Sequence, residues 1–506
     1  MKVLTSAQMK AAEAGAVLSG SSYFSLMERA GLGAADAVQR LIPMEGRSCL
    51  LFCGRGNNGG DGFIAAVRFQ ELGAKVAVVL TDGYPTTREA KEAYDRVVEA
   101  DLPVALYSGN EEKIRQLCGH TDVIVDAIYG TGFRLPLDEP HREICQLINR
   151  SICAVVALDL PTGVCADTGE ADPQAVRADF TAVFHAYKPA HLTDPSLPLC
   201  GRLLPVDIGI PEDLPAEEGP VHLLTDRELV AEQFPPRPRE SHKGNFGHLL
   251  CVVGSDRYLG AAVLAAEGAA RAGAGYVQIA STPQVCRFVA QRVPSCILLP
   301  LEGSREEQLS TLEEALNRCS ALLVGCGLGD SPQTAQLVGH LLSKSTVPVV
   351  LDADALNAAA RNIDLLHERD CPLLLTPHLG EMGRLLQMEP QEVAASRLPL
   401  ASAFARQHQV NLLLKGPATT IHTPEGDVYY NHTGTPGMAR AGSGDVLAGM
   451  VGALAARWIP LPLAAACGAW IHGRAGELAA RRRSEEAMLP TDLLDAIGDV
   501  FLEWKD

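Results

Sequence analysis

The stretch CGRGNNGGDGF, residues 53–63, sets Gly54, Gly56 and Gly59 at the G-x-G-x-x-G spacing. The apolar run SCLLFCG is followed by RGNNGG and then by the helical pattern DGFIAAVRFQELG, with Gly73 at its end. Strand, glycine turn and helix therefore come in the order of the first crossover of an open parallel sheet, and Asp82 follows the next apolar run at the distance, roughly twenty residues, of a ribose-binding acid. A redox dinucleotide domain is the first reading. Yet RGNNGG, taken as the loop, and the following Asp61 carry two amides and an acid that close approach to a pyrophosphate does not require. Turn-forming and capping roles explain any one of these residues better than they explain the whole string.

Outward from that motif, SCLLFCG, VAVVLTD, DVIVDAIYG and AVVALDLPTG alternate with amphipathic segments, the pattern of a parallel sheet with helices on both faces. The alternation runs to about Pro211, where PEDLPAEEGP breaks it. A second alternation starts at GHLLCVVGS and passes through YVQIAST, ALLVGCGLG, PVVLDADALN and CPLLLTPHLGE to NLLLKGPATTIHTPEGDVYYN, with a turn at Pro424 and Gly426. The chain is thus expected to be α/β, with two three-layer αβα domains: 1–216, Rossmann-like, and 217–506, entered through the proline-rich arm EQFPPRPRESHKGN. A length of 506 residues, more than one core usually organises, agrees with two domains.

With 47% hydrophobic residues, 21% charged and a net charge of -18, the protein should be soluble and acidic, repelling nucleic acid and acidic membranes. Thr5 and Gln8 read as a capping box opening a first helix, so no export is expected. The apolar region 448–471 is interrupted by Arg457, Pro460 and Pro462, which favours two core helices over a membrane span. Fourteen cysteines without a C-x-x-C pair read as reduced, mostly buried thiols of a cytoplasmic enzyme, and neither Cys165 nor Cys326 has an evident base beside it.

Ligands of open α/β sheets collect at strand carboxyl ends. There the first domain places Asp126, before the loop of Gly130, Thr131, Gly132, Phe133, Arg134, Leu135 and Pro136, and Asp159, followed by Thr162. In the second domain Gly442, Ser443 and Gly444 open a helix whose amides and dipole suit an anion such as a developing phosphate, with Asp445 beside it. Lys415 ends a buried run and could meet nucleotide phosphates or simply snorkel. Asp352, Asp354, Asn357, His378 and Glu381 fall at strand-to-helix junctions and could hold a ligand or a hydrated magnesium ion.

GNNGGDG, the D-x-x-x-G-T-G of residues 126–132, DLPTG and YKPAH together resemble the NAD(P)H-hydrate epimerase domain over residues 1–215. The family more often has D-I-P-S-G, and proline where Arg55 stands. The resemblance implies that the nucleotide is a substrate: NADH or NADPH hydrated at C6 of the nicotinamide ring (NADHX and NADPHX), whose R and S forms are interconverted. It implies that Asn57, Asn58, Gly59, Gly60, Asp61 and the loop from Gly130 to Pro136 hold the hydrate, with Asp159 beside the ring, and that Asn58, Asp126 and Thr162 bind K+. Epimerising a hemiaminal carbon, by loss and return of water or by ring opening, needs a group that trades protons. Asp159 is the choice, with Lys188 as its charged neighbour, a phosphate contact or a structural lysine.

HKGNFGHLLCVVGS, YLGAAVLAAEGAARAGAGYV, GCGLG, LDADALN, TPHLGEM, KGPAT and GSGDVLAG resemble the ribokinase-like superfamily and, more narrowly, the ADP-dependent NAD(P)H-hydrate dehydratase domain over about 240–500. The usual G-P-G-L-G is here GCGLG, and Arg440 and Ala441 precede G-S-G-D in place of Thr and Gly. The resemblance implies that Ala261, Gly327, His378 and Asp445 contact the hydrate, while Lys415, Gly416, Pro417, Ala418, Thr419 and Gly444 bind ADP, with Mg2+ as cofactor. The implied chemistry is phosphoryl transfer to the C6 hydroxyl followed by elimination of phosphate, leaving AMP. Asp445 would accept the hydroxyl proton. A homo-oligomer without nucleic-acid or membrane partners is expected. A small-molecule kinase of a vitamin alcohol, fused to a nucleotide-binding or scaffolding module, is the alternative.

Overall fold

The structure, a computed structural model, describes residues 2–211 and 219–503. It divides into two compact units, 2–219 and 220–506. The expected boundary between 216 and 217 lies outside the described residues.

Among its described residues the N-terminal unit has seven parallel strands: β1 (Ser48–Cys53), β2 (Lys75–Leu80), β3 (Val104–Leu106), β4 (Val123–Ala127), β5 (Ala154–Leu158), β6 (Phe180–Phe184) and β7 (Arg202–Val206). Their order is 3-2-1-4-5-6-7, the dinucleotide-fold order with one added edge. All five residues of β4 are buried, as a parallel strand covered on both faces requires. The order reverses between β1 and β4, and the two following turns approach closely: the Gly54 amide donates to Ala127 O at 3.0 Å. The helix Asn57–Glu71 starts earlier than the sequence suggests, so both asparagines stand in its first turn and Asp61 in its second, not in a loop. Gly59 makes this possible, since a Cβ there would lie 1.9 Å from Gly54 O.

Among its described residues the C-terminal unit has ten strands: β8 (His222–Leu224), β9 (His248–Val252), β10 (Tyr276–Ser281), β11 (Ile297–Pro300), β12 (Ala321–Val324), β13 (Val349–Leu351), β14 (Leu373–Leu375), β15 (Asn411–Leu414), β16 (Thr419–His422) and β17 (Val428–Asn431). Their order is 11-10-9-12-13-14-15-16-17-8, antiparallel only at β15/β16 and β16/β17. Here the reversal falls between β9 and β12. Region 448–471 belongs to two successive helices, Ser443–Ala456 and Leu461–Arg483, and no described helix is long and apolar enough to cross a membrane. Ser443–Ala456 is almost wholly buried and lies so close to Leu259–Arg271 that a Cβ on Gly449 would come 2.1 Å from Ala265 O.

Because that obstacle is backbone, Gly449→Ala must separate the two helices. The expected cost is about 1–3 kcal/mol, read as a lower denaturation midpoint for the C-terminal unit with the N-terminal unit unchanged. An unaltered midpoint would contradict the close packing.

Candidate active sites

In the N-terminal unit a cavity of about 500 Å3 opens where the strand order reverses. Asn57, Asn58, Asp61, Gly130, Thr131, Gly132, Phe133, Asp159 and Lys188 line it. Of the other expected contacts, Gly59 and Gly60 face inward, the latter against Met27. Arg134, Leu135 and Pro136 lie outside the lining; Arg134 donates to Thr131 O and Phe133 O. Asp126 and Thr162, both fully buried, are joined by two bonds of 2.7 Å, from the Thr162 amide and hydroxyl to the Asp126 carboxylate. Burial raises Asp126 to about 6 against those bonds. Asn58 packs over Gly130 and leaves its buried Nδ2 without a partner among the described residues.

Asp159 has a left-handed backbone, φ 62°, which Asp tolerates better than most side chains. The surroundings fix it: its amide donates to Ala182 O at 2.8 Å, and its carbonyl accepts from His191 Nε2 at 2.6 Å. The Lys188 amide donates to His191 Nδ1, so the ring is neutral with its proton on Nε2. Burial, then the Lys188 charge, lowers His191 to about 4. The fully buried Lys188 ammonium bonds Asp159 Oδ1 and Phe184 O. This geometry makes Lys188 a charged neighbour of Asp159, and its full burial fits a structural lysine as well.

Two cavity carboxyls escaped notice as ionisable partners. Glu13 lies on the helix Ser6–Leu18, whose sequence signal is the Thr5–Gln8 capping box that the structure contains. Asp61 appeared as a loop residue. Burial, then the Asp159 charge, raises both acids, Asp61 well above the ordinary aspartate range.

The C-terminal cluster centres on Lys415. Its Nζ lies 2.8 Å from Asp352 Oδ1 and 3.6 Å from Glu381 Oε2, and a Cβ on Gly444 would lie 3.6 Å from it. Burial disfavours its charge, but the two carboxylates outweigh this and raise Lys415 above the ordinary lysine value. Glu381 Oε2 accepts from the His378 amide at 2.8 Å, while His378 Nδ1 caps the helix Leu379–Leu386. Gly327 faces Ala261, whose Cβ would be 2.8 Å from an added Cβ. Gly416 and Pro417 are exposed and Ala418 and Thr419 buried, with the Thr419 hydroxyl on Gly416 O. Asp354 accepts from the Gly329 amide, and Asn357 reaches Asp354 and Arg384.

Gly442 caps the helix Ser443–Ala456, whose first turn the buried His472 steadies by donating to Ser443 O at 2.9 Å. Asp445, in the first turn, is pushed up to about 6 by burial and then by Asp352, while the Cys326 thiol and Lys415 pull it down. Cys326, with no base beside it in sequence, thus has two carboxylates: its Sγ lies 3.5 Å from Asp352 Oδ2, and the ligand atoms of Cys326, Asp352 and Asp445 fall within 4.8 Å of one another. Burial and these charges hold the thiol protonated. Cys165 is also buried and raised, in a separate cluster. The approach of residues 326, 352 and 445 has no signal in the sequence beyond the position of 326 and 352 just after strand ends and of 445 at a helix start.

Two open α/β units, each with its polar groups gathered where the strand order reverses, define a nucleotide-handling enzyme with a ribokinase-like second half. Residues 24–190 match the family described as YjeF-related protein N-terminus, and 249–499 match NAD(P)H-hydrate dehydratase. The bifunctional NAD(P)H-hydrate repair enzyme Nnr of Moorella thermoacetica is 39% identical over 93% of this chain and 91% of its own; that of Thermofilum pendens is 36% identical over 93% and 90%. Among solved structures, the ADP/ATP-dependent NAD(P)H-hydrate dehydratase of Bacillus subtilis, co-crystallised with ATP and Mg2+, is 31% identical with TM-score 0.50, covering 57% of this chain and all of that one. The chain belongs to the bifunctional NAD(P)H-hydrate repair enzyme family.

Lys188→Met removes the ammonium from a buried pair and leaves Asp159 without its partner. Such losses cost about 3–5 kcal/mol. The expected result is a lower midpoint for the N-terminal unit alone, and equal midpoints would show that the pair does not hold this region together.

Proposed function

We propose that the N-terminal site interconverts the R and S forms of NADHX and NADPHX, and that the C-terminal site uses ADP to return the S form to NADH or NADPH. One observation supports this most: each unit sets a carboxylate, Asp159 or Asp445, in the polar cluster at its sheet's reversal point. A cytoplasmic setting agrees with fourteen unpaired cysteines.

At the first site, Asp159 exchanges a proton with the C6 hydroxyl or the water that replaces it, held for that task by Lys188 and His191. Asn58, Asp126 and Thr162 suit K+, because they offer oxygens and the buried Asp126 has no cationic side chain paired with it among the described residues. The Asn58 amide, turned about its last bond, would bring its oxygen to the position of the unpartnered Nδ2. The ion would supply fixed positive charge beside the glycine turn.

At the second site, Asp445 accepts the proton of the C6 hydroxyl as that oxygen takes the phosphoryl group. The opening amides of Ser443–Ala456 and the Lys415 ammonium stabilise charge on the transferred group. Phosphate is a far better leaving group than hydroxide, so its expulsion restores the dihydronicotinamide. Asp352, Asp354 and Glu381 offer the oxygens that Mg2+ prefers, and the ion would neutralise nucleotide phosphate charge.

The purified chain, given NADHX with ADP or ATP, should restore the near-ultraviolet absorbance of NADH and release free phosphate; accumulation of a stable phosphate ester would indicate a kinase. Asp159→Asn should lose epimerisation and keep dehydration of the S form, and Asp445→Asn the reverse. Loss of both activities in either variant would argue against separate sites.

Asp445 must be ionised to accept a proton, so dehydration should decline as pH falls through about 6 and level off above. Cys326→Ala removes a donor that favours the ionised form, so the acid limb should move to higher pH. A limb that stays in place would separate the thiol from Asp445.

A further inference from the structure

We infer that Asp61 is a second catalytic residue of the epimerase site, the proton donor that complements Asp159, and that Glu13 is the positioning residue that keeps Asp61 supplied with its proton. This rests on the epimerase reading above and adds the group that reading leaves open.

Glu13, Asp61, Asp159 and Lys188 line one cavity, yet they are not equivalent there. Lys188 is committed to Asp159 and to Phe184 O. Asp61 and Glu13 make no hydrogen bond or ion pair among the described residues. Facing Asp61 are two carboxyls, Asp159 and Glu13, against the single Lys188 ammonium already engaged elsewhere. Lys10 faces Glu13 from the same helix, and Arg55 stands toward Asp82, 3.9 Å away, at another part of the lining. Desolvation and unfavourable company both disfavour a charge on Asp61, while Asp159 has an ammonium against it. Two carboxyls whose surroundings push them apart in this way divide into acid and base.

The chemistry needs both. A hydroxyl leaves a hemiaminal carbon as water only when it gains a proton. Asp61 donates that proton to the C6 oxygen, the C6–O bond breaks with its electron pair on the departing water, and the N1 lone pair forms the C6=N1 bond of an iminium ion. Water then adds to C6 from the other face, its electron pair forming the new C–O bond while the C6=N1 pair returns to N1. Its surplus proton passes to Asp159. One acid has become a carboxylate and one carboxylate an acid, so the reverse conversion exchanges their roles. The iminium carries positive charge, which the carboxyls of Asp159, Asp61 and Glu13 stabilise. An asparagine at 61 would still hydrogen-bond the hydroxyl, but it would have no proton to give.

The full-length chain, its Asp61→Asn, Asp61→Glu and Glu13→Gln variants, and separately prepared R-NADHX provide the test, with the R-to-S ratio followed by chromatography. Asp61→Asn should lower kcat by about 10²–10⁴-fold with KM nearly unchanged, and Asp61→Glu should recover part of it. Glu13→Gln removes a negative neighbour, so Asp61 gives up its proton at lower pH and the alkaline limb of kcat should move down. A raised KM with unchanged kcat in Asp61→Asn would make Asp61 a binding residue and overturn the inference, as would an unmoved limb in Glu13→Gln for the part given to Glu13. If the unsubstituted chain fails to epimerise, the epimerase reading itself falls, an outcome distinct from either.

Discussion

Each half of the molecule depends on one constraint of sheet topology: where the strand order reverses, two successive turns leave in opposite directions and a crevice opens between them. In the first unit this occurs between β1 and β4, in the second between β9 and β12. Everything chemical follows from what lies against that gap. Gly54 and Gly59 let the turn after β1 close on the start of its helix, which brings Asn57, Asn58 and Asp61 to the cavity. Gly327 plays the matching part after β12, pressed against Ala261. The remaining acids, Asp159 and Asp445, come from parts of the chain that reach the gap only once the sheet is assembled.

Assembly buries charge, and the two units resolve it unequally. Asp159 is paired with the buried Lys188, so removing either partner strands the other. Among the described residues Asp445 lacks such a partner: Lys415 is drawn first to Asp352 and Glu381, and what remains for Asp445 is the field of a helix N-terminus and a thiol. An acid left this way is easily protonated, the property a proton acceptor near neutrality needs. The Asp352–Lys415 contact thus fixes the ammonium and, by occupying it, leaves Asp445 without a paired cation among the described residues.

Much of this was legible from local pattern. Buried runs of four to six apolar residues announced β1, β2, β4, β5 and most strands of the second sheet, because a parallel strand covered on both faces has little room for polar residues. Less visible were β3 and β8, with three residues each, and the outer strand β7, whose Pro205 argues against a strand unless it lies at an edge. Site residues carried by glycine-rich turns stood out for the same local reason. Glu13 and Cys326 did not, since nothing in KAAEAG or GCGLG states what will be folded against it. The helix start at Asn57 was misplaced because Gly56 caps it without a side chain, leaving no Ser, Thr or Asp to mark the place.

On the proposed chemistry the two sites act on the same C6–O bond by opposite electrostatic means, and their surroundings differ accordingly. Expelling the oxygen as water develops positive charge on the ring, which an acid and an excess of carboxyls favour; Asp61, Asp159 and Glu13 line that cavity. Expelling it as phosphate first develops negative charge on a transferring group, which calls for a base on the hydroxyl and positive charge around the phosphoryl oxygens. Asp445, the opening amides of Ser443–Ala456 and Lys415 meet that demand. Carboxyls gathered at the reacting carbon, as in the first unit, would repel a phosphoryl group in transfer to that carbon's oxygen. One pocket could not serve both reactions well, which is a physical reason for a chain with two crevices.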